Sequence, residues 1–183
     1  MKKIAVYPGS FDPVTYGHLD IIRRTLTIFD EVIVAVARNS SKNSLFTTEE
    51  RVGLIQTVLK DEKRVTVDTF TGLLINYVSS KKAHVIIRGL RAISDFEYEF
   101  QIAQMNSTIG HDVETLFMMT SIQYGYLSSS IVKEVCSLNG NIDGFVPAEV
   151  KTALRLKYGF NNNSSTQDAD IKTQSINTDM KIK

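Results

Sequence analysis

Ser10 and His18, Lys42, Arg88 and Arg91, and the run Ser128-Ser129-Ser130 are the residues in this chain with the most chemistry to offer. Hydroxyls, an imidazole, an ammonium and two guanidinium groups are the donors that hold phosphate oxygens. Each also has an ordinary reading. Lys42 sits in a polar loop where a lysine is usually just solvated, and Arg88 ends an apolar strand. Three consecutive serines can be a helix cap with spares. Glu99, read from its surroundings, is an exposed helix residue. What would make the set a site is convergence, so the elements that carry it decide the question.

Ile4-Ala5-Val6-Tyr7 is an apolar run of the kind a strand buried on both faces shows. Pro8 and Gly9 should stop it, and Pro13 should keep the connection irregular. A helix is expected from near Gly17, because Leu19, Ile22, Leu26 and Phe29 share one stripe. A strand, a Gly/Ser turn and a helix N-terminus together form a phosphate cradle, since unpaired N–H groups and the helix dipole meet there. His18 lies in the first turn of that helix. The segment is neither a Walker loop nor the Gly-x-Gly-x-x-Gly dinucleotide fingerprint.

The alternation continues down the chain. Glu31–Arg38 predicts a second buried strand. Thr47 and Glu50 have capping-box spacing before a helix carrying Val52, Ile55 and Leu59. Arg64–Phe70 predicts a strand nearer an edge, and Gly72–Lys82 a helix with Leu74, Tyr77 and Val78 inward. His84–Arg88 predicts a fourth strand, and Asp95 a cap for a helix through about Thr108 whose inner face carries Phe96, Phe100 and Ala103. Thr115–Met119 is a fifth strand. A helix follows the serines with Ile131, Val135 and Leu138 on one face, and Pro147 suits the first position of a last helix through Tyr158.

Strict alternation of this kind indicates an α/β fold: a doubly wound, five-stranded parallel sheet, order 3-2-1-4-5, with strands one and four side by side at the switch point. Ligands bind such sheets beyond the carboxyl ends of the strands. Ser10 and His18 follow strand one, Lys42 strand two, Arg88-Gly89-Leu90-Arg91 strand four, and Tyr124-Gly125-Tyr126-Leu127 with the serines strand five. Four loops thus bring phosphate-holding groups to one edge.

The 183 residues are 43% hydrophobic, which suits one domain over residues 1–160. The stretch 161–183 opens Asn161-Asn162-Asn163-Ser164-Ser165, lacks periodicity and reads as disordered. A formal charge of +1 sets up no global field for nucleic acid or membranes. No apolar run approaches a membrane span and the N-terminus shows no apolar signal segment, so a cytoplasmic location is expected. The single cysteine, Cys136, excludes an internal disulfide and reads as a small core residue. No carboxylate cluster suggests a metal cage.

Ser10-Phe11, Thr15-x-Gly17-His18, Lys42, Arg88-Gly89-Leu90-Arg91, Asp95-Phe96-Glu97-Tyr98-Glu99 and Leu127-Ser128-Ser129-Ser130 together resemble the phosphopantetheine adenylyltransferase family. The motifs stand in that family's order, from about Lys3 to Tyr158. The resemblance implies a Rossmann-like nucleotidyltransferase fold. It also implies transfer of AMP from ATP to 4′-phosphopantetheine, giving dephospho-coenzyme A and pyrophosphate, with magnesium carried on the ATP phosphates and a homohexameric assembly. By resemblance, His18, Lys42 and Arg91 are catalytic. ATP would be bound by Ser10, Phe11, His18, Gly89, Leu90, Arg91, Glu99 and the run Tyr124, Gly125, Tyr126, Leu127, Ser128, Ser129 and Ser130. The acceptor would meet Ser10, Lys42, Leu74 and Arg88.

Three departures accompany the likeness: Ser10 where many members have Thr, no Trp or Ser at Tyr124, and a tail beyond Phe160 without a counterpart. Two alternatives stand beside it. One is a sister enzyme adenylating nicotinate mononucleotide or using CTP, although cytidylyltransferases usually carry His where this chain has Thr15. The other is a non-catalytic flavodoxin-like nucleotide-binding module, which has no need of His18.

Overall fold

Five apolar runs become parallel strands because a helical segment long enough to cross back over the sheet separates each from the next. The order along the chain is β1 (Ile4–Gly9), α1 (Tyr16–Thr25), β2 (Glu31–Ala37), α2 (Thr48–Val58), β3 (Val65–Phe70), α3 (Leu74–Ser80), β4 (Val85–Leu90), α4 (Ile93–Ile109), β5 (Glu114–Met119), a single 3-10 turn (Ile122–Tyr124), α5 (Ser129–Ser137) and α6 (Ala148–Lys157). The computed structural model describes residues 2–38, 43–91, 93–110 and 112–160, apart from the side chains of 93–95. Lys42 and the 161–183 tail therefore lie outside the described residues, whereas Asp95, expected to cap α4, falls inside the helix, which already begins at Ile93.

The sheet order is β3-β2-β1-β4-β5, as the alternation predicts, and every neighbouring pair is parallel. Alternate residues of the central strands feed two cores. Ala5, Tyr7, Val32, Val34, Val36 and Ile87 pack beneath α1, α2, α5 and α6 with Leu19, Ile22, Ile55, Val132, Val150 and Leu154. Val6, Ala35 and Ile86 face the other way onto Ile75 and Val78 of α3. Burying about 25 cal/mol per Å² of apolar surface on both faces is what holds β1 and β4 in the middle. Cys136 is a buried free thiol in the larger core.

Several boundaries differ from expectation for physical reasons. β1 runs through Pro8 and Gly9, paired with Ala35 and Val36 of β2. Its ladder to β4 is confined to Ala5 and Val6. Pro8 has no N–H to give, so the strand continues on one side while the sheet opens on the other. That opening is the switch-point crevice. α1 begins at Tyr16 and ends at Thr25, leaving Leu26 as its C-cap and Phe29 in the following turn, both still buried. Pro147 is the N-cap of α6 rather than its first residue.

The larger difference is on α4. Phe96 and Phe100, expected inward, are 40% and 43% exposed. They stack on each other at 5.5 Å, and Phe96 meets Phe117 edge-on at 5.7 Å. Helical spacing correctly groups these rings on one stripe. It does not say whether one chain has anything to cover the stripe, and α4 lies over β4 and β5 at the sheet's rim.

Candidate active site

The first turn of α1 is a capping box in which histidine replaces the usual Glu or Gln. Thr15 is the N-cap, and its Oγ1 accepts from the His18 N–H at 3.4 Å. The His18 ring folds back so that Nδ1 accepts from the Thr15 N–H at 3.0 Å. That bond assigns the proton of a neutral ring to Nε2. Phe11, buried and in the left-handed region at φ +48°, meets the imidazole in a T-shaped contact with ring centres 5.0 Å apart. Gly9 permits this, since a Cβ there would stand 2.9 Å from the Phe11 ring.

Burial, with the positive charge of Arg91 second, pulls the His18 pKa down from 6.5 to about 4. The ring is a neutral Nε2–H donor at physiological pH. Its folded pKa lies below the unfolded one, so the unfolded chain takes up the proton first. The stability this adds is complete above about 6.5 and is lost as pH falls toward about 4. An NMR titration of the free protein should place the His18 midpoint near about 4 with the Nε2–H tautomer. A midpoint at an ordinary histidine value would show that the ring leaves its cap.

Cations frame the crevice from other elements. Arg88 of β4 donates through Nε and Nη2 to both oxygens of Glu99 on α4, at 2.6 and 2.7 Å, and through Nη1 to the Pro8 carbonyl at 3.3 Å. This fork holds β4, β1 and α4 together at the place where β1 and β4 part. Asp12 is 5% exposed and accepts from the Leu45 and Phe46 amides at 3.0 and 2.9 Å and from Lys133 at 2.6 Å. Burial raises its pKa, but Lys133 and the two amides outweigh that and hold the carboxyl below its usual range. On the far side, Asp20 of α1 accepts from the Ser121 N–H and hydroxyl at 3.0 and 2.8 Å, fastening α1 to the turn after β5.

Together these elements enclose a crevice of about 590 Å³ at the carboxyl ends of the strands. The sequence profile of the cytidylyltransferase-like family matches residues 6–135, which takes in β1 from Val6 and all of β2 to β5. Phosphopantetheine adenylyltransferase from Geobacter sulfurreducens is 76% identical over 156 residues, covering 85% of this chain and 95% of the relative. The enzymes of that name from Geobacter metallireducens and Moorella thermoacetica are 73% and 54% identical, covering 86% of this chain and 96% and 99% of theirs. The chain belongs to the phosphopantetheine adenylyltransferase family. It is therefore a nucleotidyltransferase, and the non-catalytic flavodoxin-like reading falls.

Of the residues that the family likeness singled out, Ser10, Phe11, His18, Leu74, Arg88, Gly89, Arg91, Glu99, Leu127 and Ser128 to Ser130 all line this crevice. Leu90, Tyr124, Gly125 and Tyr126 do not. Leu90 is 5% exposed, and its carbonyl accepts from Thr120 N–H at 2.9 Å. Tyr124 stacks on Tyr16 at 6.3 Å, and Tyr126 leans edge-on to Phe145. The serines divide their work. Ser128 caps α5 by accepting from Ile131 N–H at 3.1 Å, while Ser129 donates its hydroxyl to the Pro13 carbonyl at 2.8 Å. In this phosphopantetheine adenylyltransferase family member, then, Ser129 fastens the β1–α1 loop to α5.

Sequence reasoning passed over Asp12 and Arg51. Asp12 before Pro13 reads as a turn residue, and its partners are 33, 34 and 121 positions away. Arg51 reads as a helix surface charge. No local pattern separates either from its bland reading. Thr15 was different: its spacing to His18 is that of a capping box, and only the habit of expecting Glu at the far end hides it. Among the described residues no group of three or more His, Cys, Asp or Glu side chains is placed to hold a metal ion. Among them, too, no helix is long and apolar enough to cross a membrane.

Proposed function

We propose that the chain transfers the adenylyl group of ATP to the phosphate of 4′-phosphopantetheine, giving dephospho-coenzyme A and pyrophosphate, a step of coenzyme A synthesis. The near-full-length match to relatives of that name carries the choice of substrates. An acceptor phosphate oxygen attacks the α-phosphorus in line, and the bond to the bridging oxygen of pyrophosphate breaks. The acceptor is already an anionic nucleophile, so the protein needs neither a side-chain nucleophile nor a strong base. It has to align two polyanions and meet the charge on a five-coordinate transition state.

In this reading the Nε2–H of His18 donates to an α-phosphate oxygen, with Ser10 and Lys42 on the transferring and accepting phosphates. Arg88 meets the acceptor phosphate. Arg91 and the free N–H groups at the start of α5 take the β- and γ-phosphates. Glu99 keeps the Arg88 fork oriented and helps to bind ATP, and Leu74 lies along the pantetheine arm. Among the described residues the crevice offers cations, hydroxyls and one carboxylate, Glu99, already engaged by Arg88. That donor set fits magnesium carried on the ATP phosphates, not a protein-built metal site. Bound so, the ion neutralises charge on the leaving group.

The reading includes a cytoplasmic enzyme that assembles as a homohexamer. The apolar rim of Phe96, Phe100, Met105, Ile109, Leu116 and Met119, all exposed in one chain, supports self-association. Acceptor choice is the decisive test. With ATP, 4′-phosphopantetheine should release pyrophosphate and unphosphorylated pantetheine should not. Arg88→Ala should raise KM for the acceptor at least about tenfold and leave ATP affinity within about threefold, since the acceptor phosphate loses a guanidinium partner. Equal turnover of pantetheine would remove attack by phosphate. Preference for nicotinate mononucleotide would move the enzyme to the sister branch.

A further inference from the structure

Arg51, on the second turn of α2, is 4% exposed and lines the crevice. Its guanidinium is surrounded by neutral oxygens. Nε donates to the Thr47 carbonyl at 3.3 Å. Nη1 donates to the carbonyls of Ser10 at 2.7 Å and Ala37 at 3.2 Å. Nη2 donates to Thr48 Oγ1 at 3.0 Å. Among the described residues, no carboxylate pairs with it. The other buried charge nearby, Asp12, is matched by Lys133.

A buried cation with only neutral partners is costly unless something else supplies negative charge. The carbonyls it gathers come from the end of β2, the start of α2 and the loop after β1, which are three of the walls at the phosphate end. The shortest of the bonds goes to Ser10. Two residues on, the same loop is held again through Asp12, which accepts from Leu45 and Phe46 just ahead of α2 and from Lys133 of α5, and then by Ser129 on Pro13. Ser10 is therefore the point where the loop faces the crevice between two fixed ends.

We propose that Arg51 is a positioning residue for the transfer: its fork fixes the Ser10 segment in the geometry that meets the transferring phosphate, and its buried charge is neutralised when the polyanionic substrate enters. This rests on the proposed function only for the assay reaction. A lysine keeps the charge and loses the fork. Arg51→Lys should therefore lower kcat about 10–100-fold with both KM values within about threefold, since loss of orientation is felt most at the transition state. Arg51→Gln should lower kcat similarly and also weaken ATP binding, measured calorimetrically, by at least about tenfold.

The decisive readout is a double-mutant cycle with Ser10→Ala. If Arg51 acts through Ser10, Arg51→Lys should slow the Ser10→Ala enzyme by less than about threefold, whereas independent effects would multiply. Should Arg51→Lys not fold, Thr48→Val, which removes only the Nη2 acceptor, should lower kcat about threefold, and Ser10→Ala should abolish that difference. Unchanged kcat in a folded Arg51→Lys or Thr48→Val enzyme, or multiplicative loss with Ser10→Ala, would overturn the proposal. Wild-type protein is run first with 4′-phosphopantetheine and with nicotinate mononucleotide. If only the second is adenylated, the substrate reading fails, and the same cycle on that acceptor still tests Arg51.

Discussion

His18→Gln should lower kcat about 10²–10³-fold while ATP affinity changes by less than about threefold. Glutamine is the informative replacement because position N3 of a Thr-capped helix ordinarily holds Glu or Gln. The Thr15 N–H would keep an acceptor at the place where His18 Nδ1 now stands at 3.0 Å, so α1 should retain its start. The thermal midpoint should stay within about 2 °C, close to the change one capping contact makes. What is lost is the rigid ring, pinned by its own cap on one nitrogen and by the T-shaped contact with Phe11, that turns the second nitrogen toward the crevice. Steady-state rates, calorimetric ATP binding and melting on one preparation test this together. A fall in ATP affinity as large as the fall in kcat would make His18 a ground-state contact, and an unchanged kcat would remove it from the chemistry.

The largest effect on stability should come from Asp12→Ala. It leaves the Lys133 ammonium facing a buried site without its partner and strips the Leu45 and Phe46 amides of their acceptor. Breaking a buried pair from one side costs about 3–5 kcal/mol. For a domain of this size each kcal/mol lowers the melting midpoint by about 2–4 °C, so a fall of about 6–20 °C is expected. The double variant Asp12→Ala with Lys133→Met should recover part of it, since no isolated charge then remains. Equal melting of Asp12→Ala and wild type would mean that the pair contributes no net stability. The partners of Asp12 are on α5 and just ahead of α2, not on α4, so the change should leave the assembly state alone.

Much of this molecule is legible along the chain. Alternating apolar runs and amphipathic segments need only local periodicity, and periodicity places all five strands in their sheet order and puts Ser10, His18, Arg88, Arg91 and the serines at one edge. The family likeness rests on motifs that are themselves local, such as Thr15-x-Gly17-His18. Beyond that, position in sequence carries no information about partners far away. The exposure of Phe96 and Phe100, the passage of β1 through Pro8, and the pairing of Arg88 with Glu99 each depend on what another element offers.

The sequence by itself determined the fold class, the edge where ligands bind and the kind of group, phosphate, that the edge is built to hold. Those follow from hydrophobic patterning and from residue chemistry, which act within a few positions of the chain. Only the tertiary structure decided which nitrogen of His18 carries the proton, which serine faces the loop, and that Arg51 and Asp12 are buried charges that both anchor the loop after β1. Hydrogen-bond geometry and desolvation settle these, and both depend on distances that exist only after residues up to 121 positions apart have been brought into contact.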